Sequence, residues 1–196
     1  LSIRRQRQMC IRDRYSTDYP CSFMFVASMN PCPCGYYGDP THRCVCTPGQ
    51  IQRYMNKISG PLLDRIDIQC EISPVPFQDI SKAAPGEPSA KIRERVIKAR
   101  EVQAERFKDY KGIHCNAQMT ERMIHQFAEP DEQGIELLRM AMEKLSLSAR
   151  AYNRILKVAR TIADLAGSEQ IKPDHIAEAV GYRTLDRGDW AERGHI

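Results

Sequence analysis

The chain has 196 residues, of which 42% are hydrophobic and 28% charged. This composition is typical of a soluble globular protein and excludes the disordered and fibrous classes. No apolar run approaches the ~18 residues of a membrane-spanning helix, and no signal-peptide core is present, so we expect a cytoplasmic protein without a membrane partner. The net charge of +4 comes from residues 1–15, which hold five arginines and one aspartate. The remaining residues are neutral in sum and indicate no nucleic-acid-binding surface.

The first half of the chain predicts two strands around a cysteine-rich loop. Residues 1–18 show no periodicity, and we expect an unstructured or foreign tail there. The apolar run at residues 23–29 predicts a strand buried on both faces. A loop rich in Cys, Pro and Gly follows, and residues 50–58 have the apolar spacing of a short helix. Residues 66–72 alternate apolar and polar side chains and predict a half-exposed strand.

The second half predicts a bundle of helices after a linker. Residues 74–89 are rich in proline, which is typical of a linker between subdomains. Thr120 and Ser148 are N-cap candidates, Gly167 is a stop signal and Pro173 is a start signal. We expect helices over residues 90–109, 121–128, 131–145, 149–166 and 173–182. The inward candidates of the first helix are Ile92, Val96, Ala99 and Val102.

These patterns indicate an α+β fold that is mostly α. Residues 19–73 are expected to be part of an α/β core with the cysteine-rich loop. The linker 74–89 would separate it from a helical domain at residues 90–186, and residues 187–196 would be a tail.

Four of the eight cysteines lie within fifteen residues and form two Cys-x-Cys pairs nine residues apart. Without an export signal, disulfides are disfavoured and a metal site is the better interpretation. Zinc prefers four soft ligands in a tetrahedron, and such a site would fold a polar loop that has little core of its own. The alternative is four reduced thiols without a metal. The ligand candidates are Cys32, Cys34, Cys44 and Cys46, with His42 as a spare.

Three further side chains could carry chemistry, each with a structural alternative. Asn30 ends the predicted buried strand, where a carboxamide could orient a water or a phosphate, but Asn-Pro also opens turns. Arg65 could bind phosphate or form a local salt bridge to Asp64 or Asp67. Arg150 lies in the first turn of a predicted helix, whose N-terminus attracts anions, and its positive charge would strengthen that attraction. The alternative is a solvated surface arginine.

No Gly-x-x-x-x-Gly-Lys-Ser/Thr sequence occurs in the chain, so it has no phosphate-cradling loop. By itself the chain is therefore expected neither to bind nor to hydrolyse a nucleotide. The other histidines have no ligand spacing and are expected to be structural or exposed. Arg154 and Arg160 are expected to be solvated surface residues.

The segment FMFVASMNPCPCGYYGDPTHRCVCTPGQIQRYMNKISGPLLDRIDI resembles the magnesium-chelatase-like AAA+ ATPases, in their ComM/YifB branch. The stretch LSARAYNRILKVARTIADLAGSEQIKPDHIAEAVGYR resembles the C-terminal helical lid of that family. The resemblance implies that Asn30 is the sensor-1 residue that positions the attacking water. It implies that Arg65 is an arginine finger reaching a neighbouring subunit's nucleotide. Arg150 would be the sensor-2 arginine that contacts phosphate, with Arg154 as the alternative.

The resemblance covers about residues 19–186 and implies a C-terminal portion of a larger protein, because the family's Walker A and Walker B segments are missing. It implies ATP with Mg²⁺ as ligands, a hexameric ring, and a DNA branch-migration or helicase activity in recombination and natural transformation. Two alternatives stay open. One is the motor subunit of a metal-chelatase complex, and the other is a non-enzymatic zinc and helical interaction module.

Overall fold

The computed structural model describes residues 23–72, 75, 86–145 and 147–183, together with the backbone of residues 9–12 and 15–18. Those two short segments are the strands β1 (Met9–Arg12) and β2 (Tyr15–Asp18), which pair antiparallel with Met9 opposite Asp18. This hairpin departs from the expectation of an unstructured segment at residues 1–18. The predicted tail 187–196 and most of the predicted linker 74–89 lie outside the described residues.

Neither of the two predicted strands forms. Residues 23–29 are extended without strand pairing, and Phe23 to Val26 expose 59–87% of their surface, so the expectation of a buried strand is wrong. Residues 66–72 are also unpaired, with Ile68 and Ile72 exposed and the polar Gln69 buried. A strand is stabilised by a ladder of backbone hydrogen bonds to a neighbouring strand, and no strand among the described residues pairs with either segment. The α/β core is therefore not confirmed, and the described fold is mostly helical.

Helix α1 (Pro48–Met55) follows the cysteine-rich loop, and the short helix α2 (Gly60–Leu63) follows α1. Thr47 caps α1: its hydroxyl accepts from the Gln50 N–H, and the Gln50 side chain accepts from the Thr47 N–H. Ile51 is buried, as the apolar spacing predicts. Helix α2 was not predicted, because four residues are too few to show a helical period.

The remaining helices are α3 (Ser89–Arg106), α4 (Glu121–Phe127), α5 (Glu132–Lys144), α6 (Ala149–Leu165) and α7 (Pro173–Gly181). Residues 86–183 are called the helical domain below. All five predicted helices are confirmed to within a few residues at each end. Thr120 and Ser148 cap α4 and α6, since their hydroxyls accept the backbone N–H groups of Met123 and Ala151.

The core of the helical domain is centred on α6, whose apolar face packs against α3, α4 and α7. The buried apolar residues of α6 are Ala151, Ile155, Leu156, Ala159 and Ala163. Of the four inward candidates on α3, only Ala99 is buried, and the other three are 41–46% exposed. Gln103 is buried instead, so the packed face of α3 lies toward its C-terminal half. None of the helices in the described part of the chain is long and apolar enough to cross a membrane.

A buried ionic network joins α3 to α6. The Asp164 carboxylate accepts from the Arg106 guanidinium at 2.7 and 2.5 Å, from Arg160 Nε at 3.0 Å and from Asn116 Nδ2 at 2.7 Å. Arg160 is only 4% exposed and also donates to the carbonyls of residues 168 and 169. The expectation that Arg160 is a solvated surface residue is therefore wrong. The three methylene groups of its side chain lie in the buried interior, and its charge is neutralised by Asp164 four residues later on the same helix.

Candidate functional site

The cysteine-rich loop brings its four predicted metal ligands together. The sulfur of Cys32 lies 3.3 Å from that of Cys34 and 3.7 Å from that of Cys44, and the Cys34 and Cys44 sulfurs are 3.5 Å apart. With Cys46, all four sulfurs lie within 4.8 Å of one another. None of these cysteines forms a disulfide. Four convergent thiols at such separations fit the tetrahedral thiolate shell of a structural zinc ion.

Local turns explain why the two cysteine pairs converge. The N–H of Gly35 donates to the Cys32 carbonyl at 3.1 Å, and Gly35 has a φ of +87°, a left-handed conformation that favours glycine. Further along the loop, the Asp39 carboxylate accepts from the backbone N–H and the hydroxyl of Thr41, both at 2.7 Å. His42 stacks on Tyr36 and contacts Asp39. The described geometry therefore leaves His42 outside the sulfur cluster.

The thiols differ in their readiness to ionise. Backbone hydrogen bonds from Tyr36 and Val45 lower the pKa of Cys34 to about 6, so this thiol ionises more readily than an ordinary cysteine. A backbone hydrogen bond from Cys46 lowers the pKa of Cys44, but desolvation and the nearby Cys34 and Cys32 thiols outweigh it and raise the pKa to about 12. Four thiolates at this spacing would repel one another, and a divalent cation removes that repulsion while displacing the protons.

Asn30 lies two residues before Cys32, at the end of the extended apolar segment. Its side chain is exposed and makes no hydrogen bond within the described residues. A Cβ at Gly35 would lie 3.9 Å from Asn30 Nδ2, so the carboxamide is close to the turn of the cysteine loop. The side chain is free to meet a ligand, and its position depends on the fold of this loop.

Arg65 is exposed and lies two residues after the end of α2. Its Nη1 donates to the Pro61 carbonyl at 2.7 Å, and no carboxylate among the described residues pairs with it. The two aspartates considered as its partners point elsewhere. Asp64 accepts from Ser148 Oγ at 3.4 Å, and Asp67 forms an ion pair with Arg154. The local salt-bridge alternative for Arg65 is therefore wrong, and the guanidinium is left available to an external anion.

Arg150 and Arg154 occupy different environments on α6. Arg150 is exposed in the first turn and pairs with no described residue. Arg154, one turn later, is held by Asp67, so it is not the solvated residue that the sequence suggested. Of the two candidates for a phosphate contact, Arg150 is the one without an intramolecular carboxylate partner.

Of the three predicted site residues Asn30, Arg65 and Arg150, the structure links the two arginines through a contact of Asp64. Asp64 contacts Ser148, the N-cap of α6, so its neighbour Arg65 and the first-turn Arg150 lie toward the same end of that helix. No hydrogen bond joins Asn30 to either arginine. The contacts of Asp64 and Asp67 with α6 and its N-cap were not predicted, because their partners lie more than 80 positions further along the chain. The negative charge of each aspartate indicates only that some cation or hydrogen-bond donor is its partner, not which one.

A surface cavity of about 560 Å³ lies elsewhere, between α3 and the turn that follows it. Apolar residues such as Ile97 and Phe107 line it together with Arg100 and Lys111. It contains none of the predicted site residues.

Comparison with known proteins gives matches along nearly all of the chain. The family described as magnesium chelatase, subunit ChlI, matches residues 3–80, and the family described as magnesium chelatase, subunit ChlI C-terminal, matches residues 86–183. The first match includes most of the N-terminal stretch for which a foreign origin was considered.

Individual relatives agree with these matches. The chain is 43% identical over 170 residues to the competence protein ComM of Haemophilus influenzae, covering 86% of this chain and 32% of ComM. It is 43% identical over 177 residues to YifB of Escherichia coli, covering 90% of this chain and 34% of YifB. A Mycobacterium bovis protein is 36% identical over 165 residues, which is 84% of this chain and 32% of that protein. The chain thus spans about a third of the length of the curated relatives that it matches.

Proposed function

The chain belongs to the magnesium chelatase family, in its ComM/YifB branch, and on that premise we propose that it is the C-terminal part of an ATP-driven AAA+ motor. The upstream part of the intact protein would hold most of the ATP and its Mg²⁺. This chain would contribute Asn30, Arg65 and Arg150 to the phosphate environment. Alone it would not turn over ATP, because it contains no phosphate-cradling loop.

The observation that carries this proposal is the environment of Arg65. A guanidinium flanked by two carboxylates would ordinarily pair with one of them, but both contact the helical domain instead. The exposed, permanently charged Arg65 is then suited to an anion from outside the chain. In the proposed role it enters a neighbouring subunit's site and stabilises charge on the transferred phosphoryl group.

Asn30 and Arg150 have complementary proposed roles. The Asn30 carboxamide would accept from and orient the attacking water beside the γ-phosphate. Arg150 would donate to a phosphate oxygen and move with the helical domain, so that the domain responds to the nucleotide. Because such a finger acts between subunits, the motor would work as a ring, for which a hexamer is the expectation.

The cysteine loop would hold one structural Zn²⁺ through its four thiolates. A bound zinc ion would neutralise the sulfurs and fix the loop between Asn30 and α1. Metal analysis of the purified chain is expected to give about one zinc per chain. A Cys44→Ser variant should lose it, whereas Cys70→Ser, at an exposed cysteine outside the cluster, should retain it. A metal-free, folded chain with four titratable thiols in the loop would contradict the assignment.

The proposed substrate of the motor is DNA, with branch migration or helicase activity in recombination and natural transformation. The family resemblance supports this, and one of the relatives is a competence protein. The family description itself favours a second candidate, the motor of a metal-chelatase complex. Salt-dependent binding of the intact protein to forked DNA would support the first candidate, and absence of binding at low salt would favour the second.

ATP turnover by the intact protein tests the role of Arg65. Arg65→Ala is expected to lower kcat by roughly 10³-fold or more, the usual contribution of an arginine finger. Arg139→Ala is a matched control, since Arg139 is an exposed arginine that pairs with glutamates on its own helix. Equal turnover by the two variants would contradict the finger role of Arg65. Absence of ATP turnover in the unmutated intact protein would favour a non-enzymatic zinc and helical interaction module.

A further inference from the structure

The segment that carries Arg65 is fastened to the helical domain on both sides of this residue. On one side, Asp64 accepts from the Ser148 hydroxyl and lies 3.9 Å from Arg183 Nη2. On the other side, Asp67 forms an ion pair with Arg154. These partners come from α6 and from the end of α7, which lie 84–119 positions further along the chain.

One backbone hydrogen bond and one side-chain hydrogen bond complete the attachment. The Gln69 N–H donates to the Tyr182 carbonyl at 2.9 Å, and Arg183 Nη1 donates to the Ile66 carbonyl at 2.5 Å. Gln69 and Arg183 are 5% and 1% exposed. Residues 64–69 are therefore held at several points, and the two hydrogen bonds made by the buried Gln69 and Arg183 compete less with solvent than the exposed ion pair of Asp67.

This attachment leaves Arg65 facing outward. Its two nearby carboxylates contact the helical domain, and within the described residues its guanidinium donates a hydrogen bond only to the Pro61 carbonyl. Ser148, which Asp64 contacts, is the N-cap of the helix that carries Arg150 two residues later. Residues 64–69 and the first turn of α6 thus form one connected unit with an exposed arginine on each part.

We propose that Asp64 and Asp67 are positioning residues that fasten the Arg65 segment to the helical domain, so that Arg65 moves with Arg150 when the domain moves. This rests on the proposed role of Arg65 as a phosphate-contacting group. The two aspartates touch neither nucleotide nor substrate. They act by keeping both carboxylates away from Arg65 and by fixing the direction in which its side chain leaves the backbone.

The Gln69 amide reports this attachment directly, because it donates across the contact to Tyr182. Asp67 is half exposed, so its ion pair contributes little to global stability and the Asp67→Asn variant should stay folded. Hydrogen exchange on the full 196-residue chain should show the backbone N–H of Gln69 exchanging about two- to fivefold faster in Asp67→Asn than in the unmutated chain. Asp67→Glu should restore slow exchange. Glu71→Gln, at an exposed acidic residue two positions beyond the attached segment, is the control and should leave the rate unchanged.

Kinetics of the intact protein separate positioning from structure. Asp67→Asn is expected to lower kcat for ATP while leaving KM unchanged, and Asp67→Glu should recover kcat, since only the orientation of Arg65 is altered. Unchanged Gln69 exchange in Asp67→Asn would overturn the proposed role of Asp67 in the attachment.

Faster exchange with normal kcat, in a protein that Arg65→Ala inactivates, would overturn the positioning role and leave the proposed function intact. Full turnover by Arg65→Ala would overturn the proposed function and the positioning role with it. The exchange data would in that case still report whether the segment is attached.

Discussion

Replacing Asp164 by alanine is expected to destabilise the helical domain by about 3–5 kcal/mol, the usual cost of removing one partner of a buried ion pair. The carboxylate is 5% exposed and compensates the charges of Arg106 and Arg160, which are themselves largely buried. Its loss leaves two guanidinium groups without their counterion and Asn116 without one acceptor. The remaining acceptors of the two arginines are Asn116 and two backbone carbonyls, which carry no formal charge and so do not replace the carboxylate.

For a helical domain of this size, each kcal/mol shifts the midpoint of thermal unfolding by about 4–8 °C, so Asp164→Ala should lower it by at least about 12 °C. Circular dichroism at 222 nm on the purified chain provides the assay. Asp109→Ala, at an exposed aspartate, is the matched control and should leave the midpoint unchanged. A decrease of less than about 3 °C in Asp164→Ala would mean that the network contributes no more than an exposed ion pair, and the account of this buried cluster would be refuted.

Three smaller effects follow from the same structure. Although desolvation raises the pKa of Asp164, hydrogen bonding from Arg106 and Asn116 lowers it below the ordinary value. The stability that the ionised carboxylate confers should therefore be present above the usual aspartate pKa of 3.8 and be lost as pH falls below that value. Urea titrations from pH 7 to 2 would measure this loss, and an unfolding free energy independent of pH would contradict it. Ser148→Ala should cost about 1 kcal/mol in urea unfolding through loss of the α6 cap, and an unchanged midpoint would argue against the cap. Gly134→Ala should destabilise the chain by about 1–3 kcal/mol, because the new Cβ would lie 2.9 Å from Pro130 Cβ. Gly49→Ala is the control and should not destabilise the chain, because a Cβ there meets open space in α1. Equal stability of the two variants would contradict the close contact at Gly134.

The helices were predictable because their signals are local. Ser148, Thr120 and Pro173 mark helix starts with residue types that satisfy or remove free N–H groups, and the apolar spacing of α6 needs only its own sequence. The cysteine cluster was predictable for a related reason, since two Cys-x-Cys pairs in a short loop have few other ways to arrange their sulfurs.

What the sequence could not provide were contacts between distant segments. The apolar run at residues 23–29 has the composition of a buried strand, but burial requires neighbours that the described residues do not supply. Arg160 has the same local pattern as a surface arginine, and only the packing of α3 against α6 buries it beside Asp164. In the same way, Asp64 and Asp67 lie within two positions of Arg65 and yet contact the N-cap and the second turn of α6.

Mixing two inactive variants of the intact protein tests the central claim, that Asn30 serves its own subunit's nucleotide and Arg65 serves the neighbour's. Asn30→Ala and Arg65→Ala should each lack ATP turnover when assayed alone. In mixed rings, an Arg65→Ala subunit keeps its own Asn30 and receives Arg65 from an Asn30→Ala neighbour. Random mixing of equal amounts should therefore restore about a quarter of the wild-type rate. A mixture as inactive as its two components, with subunit exchange verified, would contradict the claim.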